Sequence, residues 1–381
     1  MASDIIARYR FYLRQRPVIL AAFTAVAIIF FLAVTGLSRA HRMQRQAIGE
    51  RWFDRGIADL NASRFEAAAT DFRAALLYSP DEYSYQLNLA EALIGEGRRG
   101  QATAYLLNLW DREPDNGIVN LELARVAAQQ GEPEKAIRYY HNAIYAVWPA
   151  TQEARRRDAR LELIELLLRV GDKAQAQGEL IALAQTVGND PGQQKRVGEL
   201  FLRAEDYEHA LAAFIIVLKS ERNNAAALAG AGRAAFELGR YPLAEHYLHA
   251  AVAANPSDAI SNEKLKTAQL VLHMDPFRRQ ISVAERHKIA VQAFQIAGER
   301  LKSCNLPTAG SATPSASPSL SDDWERLKPQ ITEAGLRRNP DLVDTAMDLV
   351  FRIERDTSIV CGTPSGTDLA LLLISNMHEG S

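Results

Sequence analysis

Residues 225–256 read AAALAGAGRAAFELGRYPLAEHYLHAAVAANP, and their pattern of small and large apolar residues recurs along the chain. The small residue Ala244 of this stretch has counterparts that follow one another at steps of 34, 34, 40, 34 and 34 residues. They are Ala68, Ala102, Ala136, Ala176, Ala210 and Ala244. A fixed period of this length predicts an array of helical repeats. Such arrays present extended surfaces for binding other proteins.

Two further sets of residues keep the same phase. The first set is small in five units of six: Gly56, Ala90, Ala124, Ile164, Gly198, Gly232. The second set is large and apolar: Phe72, Leu106, Tyr140, Leu180, Phe214, Leu248. We expect each unit to be two antiparallel helices that cannot bury their apolar faces alone, with the small residues allowing their backbones to approach. Glycines such as Gly131 and Gly239 are expected to end the first helix in the left-handed conformation.

This pattern resembles tetratricopeptide repeats over residues 49–273, where six units are in register and a capping helix follows. It departs from the family pattern at Ile164, which replaces a small residue, and at Asn223, which lies near an expected proline. The resemblance implies an all-α fold: a right-handed α-solenoid of about six helix pairs plus the capping helix. Six extra residues fall within 149–158 and are expected to lengthen the first helix of unit four or the turn before it.

Composition and motifs narrow the function. The chain is 48% hydrophobic and 24% charged, with a net charge of −2, so it lacks the basic field that would hold a nucleic acid. It contains no HExxH, GxSxG, Walker or CxxC motif. We therefore expect a non-enzymatic protein with no catalytic residue, no cofactor, no metal and no small-molecule substrate, whose partners are proteins.

The N-terminus predicts a membrane anchor. Residues 17–38 carry no charge, and about 20 apolar helical residues match a hydrocarbon core of about 30 Å. Residues 1–16 form a basic tail before this transmembrane helix. A cleaved signal peptide is the alternative, since Ser38 and Ala40 have the spacing of a cleavage site, but the apolar run exceeds the 7–15 residues typical of a signal.

Membrane orientation follows less directly, because arginines flank the span on both sides. The chain has two cysteines, Cys304 and Cys361, both outside the array. An even pair suits one disulfide in an oxidising compartment, and two reduced cytosolic cysteines are the alternative. We expect a single-pass protein of a bacterial inner membrane, with a cytoplasmic N-terminus and an extracytoplasmic repeat body; the reverse orientation stays open.

Three further segments are predicted after the array. A capping box at Ser282 and Glu285 begins a helix over 282–303. Residues 306–321 are rich in proline and serine and predict a disordered linker. Residues 322–381 predict a small helical domain, with helices beginning near Asp322, Asn339 and Thr363. The capping helix carries Lys266 where a small residue would pack, so nothing further is expected to pack there.

The resemblance also implies a binding groove, because in this family the first helix of each unit lines the concave surface. We number positions so that Phe53 is the fifth of unit one. The fifth, ninth and twelfth positions combine an apolar floor with charges of both signs, which suits an amphipathic helix. The predicted groove residues are Phe53, Ile57, Glu91, Ile94, Leu121, Arg125, Glu165, Leu168, Lys195, Glu199, Leu202, Arg233 and Phe236. The family's carboxylate clamp is not expected, since only Lys195 fits it.

Three functions remain open. The favoured one is a membrane-anchored scaffold or adaptor that binds a protein partner in the groove, in assembly of a membrane or envelope complex. The second is a structural accessory subunit that docks through the apolar faces of residues 340–376. The third, an enzyme whose repeats recruit substrate, is disfavoured because residues 321–381 contain one histidine and no convergent acid–base pair. Filling of the groove by the chain's own terminal helices is a further alternative.

Overall fold

The computed structural model describes residues 2–146, 148, 150–304 and 319–379. These residues are almost entirely helical and include no strand, so the predicted all-α repeat fold is confirmed. The predicted linker falls mainly on residues outside the described ones, but its last two residues, Leu320 and Ser321, already belong to a helix.

The chain divides into two compact units at Val170 and Gly171. The first unit contains α1 (Ala2–Asn61), α2 (Phe65–Tyr78), α3 (Tyr83–Gly95), α4 (Arg99–Arg112), α5 (Gly117–Gln129), α6 (Pro133–Tyr145), a short 3₁₀ helix (Ala150–Gln152) and α7 (Glu153–Val170). The end of α1 pairs with α2, α3 with α4 and α5 with α6, as the 34-residue period predicts. The extra residues of unit four form the 3₁₀ helix and lengthen α7.

The second unit continues the helical order. It contains α8 (Lys173–Val187), α9 (Pro191–Arg203), α10 (Tyr207–Ser220), α11 (Ala225–Glu237), α12 (Tyr241–Ala254), α13 (Ala259–Met274), α14 (Val283–Ser303), α15 (Leu320–Leu327), α16 (Glu333–Arg338), α17 (Leu342–Cys361) and α18 (Gly366–Glu379). The boundary between the units lies between α7 and α8, the two helices of repeat four.

The first helix of the array has no break from the apolar N-terminal segment. A single helix, α1, extends from Ala2 to Asn61. Its portion from Phe23 onward contains a stretch long and apolar enough to cross a membrane, and none of that stretch is buried against protein. The apolar segment and the first repeat helix are therefore one continuous rod.

Close packing inside each pair has the predicted cause. At the eighth position, a Cβ on Gly232 would lie 2.7 Å from Cγ of Leu248, and a Cβ on Gly56 would lie 2.6 Å from the ring of Phe72. Both distances are far below a normal carbon contact. Ile164 occupies the same position in repeat four and is fully buried.

The turn between the two helices of a repeat needs a left-handed residue at the fifteenth position. Gly131 has φ +75°, as predicted. The repeats without glycine there adopt the same conformation, with φ +58° at Ser63 and +61° at Glu205. Non-glycine residues pay a steric cost in this region, so the packing of the helix pair imposes the turn on them.

The region after the array is not a free-standing domain. The last helix, α18, packs against α13, and α14 packs against α17 and α18, so these helices share the core of the second unit. The expectation that nothing packs on α13 beyond Lys266 was wrong, although Lys266 itself is exposed. The predicted helix 282–303 corresponds to α14, where the Ser282 hydroxyl accepts a hydrogen bond from the Glu285 N–H at 3.1 Å.

Helix boundaries in this region differ from the predicted ones. The first helix begins at Leu320 and is capped by Ser319, whose hydroxyl accepts from the N–H of Asp322 at 3.2 Å. The helix α16 was not predicted, and Asn339 and Pro340 form a turn before α17 instead of beginning it. The last helix begins at Gly366, three residues after Thr363.

Two long-range contacts attach these helices to α14. The indole Nε1 of Trp324 on α15 donates to the carbonyl of Phe294 at 2.9 Å, and the two rings stack with centroids 5.5 Å apart. Cys304 at the end of α14 is paired with Cys361 at the end of α17 as a disulfide, with Cα atoms 6.0 Å apart. Oxidation of this pair in the cell stays a prediction.

The close approach at the eighth position generates a stability prediction. Replacing Gly232 with Ala places a methyl group against Leu248, so we expect a loss of about 1–3 kcal/mol in the free energy of unfolding. The matched control is Gly178→Ala in α8, where no atom lies within 4 Å of the new Cβ. That change should stabilise the protein by about 0.5–1 kcal/mol through helix propensity. Chemical denaturation measures both, and equal effects would contradict the packing role.

Candidate protein-binding groove

The predicted groove residues are divided between the two units, and each set is described within its own unit. Eight belong to the first unit, on α1, α3, α5 and α7, and five belong to the second, on α9 and α11. Most are half-buried, as expected for residues that line a concave face. Leu121 is an exception, since it is 1% exposed and belongs to the core.

Aromatic side chains pack together at the end of the first-unit surface that α1 and α3 form. Phe53 of α1 stacks on Tyr85 of α3 with ring centroids 4.8 Å apart, and it contacts Phe72 of α2 at 5.6 Å. Phe53 therefore joins the first two repeats together, and only part of its surface remains for a partner. Ile57 and Ile94 are also half-buried and pack against the same core.

Arg125 organises a polar cluster at the centre of the first-unit surface. Its Nη1 donates to Glu122 at 2.7 Å, and its Nη2 and Nε donate to Glu162 at 2.7 and 3.0 Å. The hydroxyl of Tyr140 donates to Oε2 of Glu162 at 2.9 Å, the oxygen that also accepts from Nε of Arg125. The cluster connects α5, α6 and α7, so it holds the third repeat against the first helix of the fourth.

In this cluster two carboxylates, those of Glu122 and Glu162, share the single guanidinium of Arg125. Burial raises the pKa of Glu122 to about 7, with Arg125 opposing and the carboxylates of Glu91 and Glu162 reinforcing the rise. Burial also raises the pKa of Glu91, although Arg155 and Arg125 both favour its charged form. The cost of desolvating these carboxylates is thus larger than the stabilisation that the nearby arginines provide. An additional cation at this surface would stabilise their ionised forms.

Sequence reasoning identified Arg125 and Glu91 but missed Glu122 and Glu162. Both missed residues occupy the sixth position, which was not examined because the family comparison directs attention to the fifth and ninth. The spacing of Glu122 and Arg125, three residues apart on one helix, was the available signal. The contact of Arg125 with Glu162 joins residues 37 apart, which no local pattern predicts. Glu165 and Leu168 lie further along the same helix and are half-buried.

The second-unit residues form a different surface. Phe236 is 9% exposed because Lys264 of α13 lies over its ring, with the Nζ 4.4 Å from the centroid, and pairs with Glu237 at 2.6 Å. Arg233 donates to the carbonyl of Ala229 in its own helix at 3.3 Å. Lys195 and Leu202 are half-buried and Glu199 is exposed. The structure does not draw these residues into a network comparable to that of Arg125.

The last helix covers part of the second-unit surface. It packs on α13, and its Met377 comes within 3.8 Å of the point where a Cβ on Gly239 would lie, at the end of α11. His378 lies 3.4 Å from the carboxylate of Asp275 at the end of α13. The last helix therefore covers α13 and approaches the turn after α11, and occupation of the groove by terminal helices stays an open alternative.

Comparisons with known proteins agree with the repeat architecture. Two tetratricopeptide repeat family models match the chain, one at residues 53–106 and 198–259 and the other at 93–147. The matched segments, residues 53–147 and 198–259, are tetratricopeptide repeats. Such repeats support a role as a protein–protein interaction scaffold. No curated protein sequence matches it.

Several solved structures are similar to parts of the chain. YrrB, described as a tetratricopeptide repeat protein with an unusual peptide-binding site, is 16% identical, with 50% of this chain and 95% of that one covered and a TM-score of 0.41. PilF of Pseudomonas aeruginosa is 18% identical, with 58% and 97% covered and a TM-score of 0.41. PilW, a type IV pilus biogenesis factor, is 16% identical, with 58% and 98% covered and a TM-score of 0.39.

The raised pKa of Glu122 predicts a pH-dependent stability. The folded protein binds this proton more tightly than the unfolded chain, whose carboxyl has a pKa near 4.5, so stability falls as pH rises from there to about 7. Glu122→Gln should remove this pH dependence. The change that the substitution makes in the free energy of unfolding should therefore be about 1–3 kcal/mol more stabilising at about pH 8 than at about pH 5. Thermal unfolding across this range measures the difference, with Glu199→Gln as the exposed control. If the substitution changed the free energy of unfolding equally at both pH values, the raised pKa of Glu122 would be contradicted.

Proposed function

We propose that the protein is a membrane-anchored scaffold that binds a basic, amphipathic segment of a partner protein on the concave surface of its first unit. The observation that carries this proposal is the buried carboxylate cluster around Arg125. Glu122 and Glu162 both accept from the guanidinium of Arg125, and Glu91 interacts electrostatically with Arg125 and Arg155. Burial raises the pKa of Glu122 and of Glu91 despite these arginines, so a further cation would stabilise their ionised forms.

The neighbouring side chains supply the apolar part of such a site. Ile94 and Leu168, at the twelfth positions of repeats two and four, are half-buried on the same helices as Glu91 and Glu162. An amphipathic helix binds a groove by placing apolar residues on one side and charges on the other. A partner helix with leucine-like residues and arginine or lysine at helical spacing is complementary to this surface. The sequence favoured a partner with charges of both signs, and the cluster shifts that preference toward basic residues.

Continuity of α1 supports a retained anchor. The apolar side chains from Phe23 to Leu37 are exposed, which is unfavourable in water and favourable in a bilayer. Cleavage near Ala40 would cut within an unbroken helix, so a removed signal peptide fits the molecule less well. The pairing of Cys304 with Cys361 supports an oxidising compartment for the body and hence a cytoplasmic N-terminus.

Much of the apolar surface that the accessory-subunit alternative requires is buried inside the second unit. Ala346, Leu349, Val350 and Ile353 of α17 are buried in the second unit, and so are Ala370, Leu371 and Ile374 of α18. Ile359 and Val360 are the large apolar residues of this pair that stay exposed, at 82% and 52%. A patch of two residues is small for stable docking on a membrane complex.

A designed peptide pair tests the proposal. We expect the full chain in detergent micelles to bind a synthetic amphipathic helix with leucine on one face and arginine on the other, and to reject the same peptide with glutamate in place of arginine. Because a bound cation lowers the pKa of Glu122, affinity should rise from about pH 6 to about pH 8. Fluorescence anisotropy measures both effects.

Two variants separate this site from non-specific attraction. Glu91→Lys should weaken binding of the arginine peptide at least tenfold, whereas Glu208→Lys, at an exposed carboxylate on α10, should leave it within a factor of two. Equal loss in both variants, or equal affinity for the two peptides, would refute the first-unit site.

A further inference from the structure

The unbroken helix α1 sets the distance between the bilayer and the first unit. From Ser38, the last residue of the uncharged segment, to Arg45 is about 10 Å at 1.5 Å per residue. At Arg45 the helix meets the end of α2, where its Nη2 donates to the carbonyl of Leu77 at 2.9 Å. The end of α2 is thereby held about 10 Å from the end of the apolar segment.

That distance matches the thickness of a headgroup layer. A bilayer of about 40–45 Å with a hydrocarbon core of about 30 Å leaves about 5–8 Å of headgroups on each side. Membrane-spanning helices also tilt by about 20° on average, which lowers the end of α2 further. The end of α2 therefore lies at the outer boundary of the headgroups, close enough for side chains to reach them.

The side chains at this edge suit that environment. Leu77 is 73% exposed, and Arg39 and Arg42 on the adjoining part of α1 are exposed as well. An exposed leucine of this size is costly in water but not against a lipid surface. Arginines in the same zone attract lipid phosphates.

The same edge continues through the next two repeats. The helices α2, α4 and α6 are the second helices of consecutive repeats, so their C-terminal ends precede equivalent turns and lie along one edge. Between the ends of α4 and α6 is a cleft of about 530 Å³ whose lining includes Trp110, Asp115, His141 and Tyr145. Tyr145 is 70% exposed, and the indole N–H of Trp110 is buried without a hydrogen-bond acceptor in the protein. Tryptophan and tyrosine are the residues enriched where membrane meets water.

We propose that this edge, defined by Arg42, Leu77, Trp110 and Tyr145, lies on the phospholipid surface, where Arg39 and Arg42 bind lipid phosphates. The inference rests on the anchor of the proposed function and adds a second contact to it. A span alone leaves the first unit free to rotate about the helix axis. The second contact fixes that rotation and so determines the direction in which the carboxylate cluster opens.

Spin labels on the full chain test this arrangement. The protein is reconstituted in vesicles of equal parts phosphatidylcholine and phosphatidylglycerol, with a nitroxide at Leu77→Cys or Tyr145→Cys. The control is Ser63→Cys, at an exposed turn on the opposite edge of the first repeat. Labelling of the unsubstituted chain corrects for Cys304 and Cys361. We expect the ratio of collisions with oxygen to collisions with a water-soluble nickel complex to be higher for the Leu77 and Tyr145 labels than for the Ser63 label.

The possible outcomes distinguish the edge from the anchor. Flotation of the vesicles after an alkaline wash reports insertion of α1 independently of the labels. A protein that floats while its Leu77 and Tyr145 labels match Ser63 overturns the edge contact alone. A protein that does not float overturns the anchor and this inference with it.

Discussion

The structure depends on the contact between a small residue at the eighth position and a large one at the twenty-fourth, a pairing that five of the six repeats carry. Where Gly232 meets Leu248 or Gly56 meets Phe72, a single added carbon would overlap the partner side chain. This contact sets the separation and the register of the two helices in a repeat. Since a repeat buries its apolar face only on its neighbours, the same register passes along each unit. It also determines which residues of the first helices reach the concave surface.

That constraint explains why much of the fold was predictable from the sequence. The recurrence of Ala68 and its counterparts gave the helix pairs, and Ser282 gave the start of α14, because both signals are local. The turns at Ser63 and Glu205 were not predictable, since neither residue favours a left-handed conformation and the packing of the pair imposes it. The attachment of Trp324 to Phe294 and of α18 to α13 was missed for a related reason. These contacts join segments far apart in sequence.

The candidate site was predictable to a smaller extent. The family pattern directed attention to the first helices of the repeats and, among their residues, to Glu91 and Arg125. It gave no information about how carboxylates from different repeats combine around one guanidinium. Leu121 shares the fifth position with Phe53, yet it is buried while Phe53 keeps part of its surface. The position of a residue in its repeat therefore indicates which side of the helix it occupies. Packing of the neighbouring repeat determines how much of its side chain stays exposed. The raised pKa values of Glu91 and Glu122 come mainly from desolvation, which depends on the packing of several helices and not on one local segment.

The central claim is that the first unit binds a basic segment of a partner on the surface formed by α3, α5 and α7. Hydrogen exchange of the full chain, followed by mass spectrometry with and without the arginine-bearing amphipathic peptide, tests it most directly because it locates the bound surface along the chain. The account predicts slower exchange in peptides from α3, α5 and α7, with α2, α4 and residues 171–379 unchanged. Protection confined to the second helices of the repeats, or to the second unit, would contradict it.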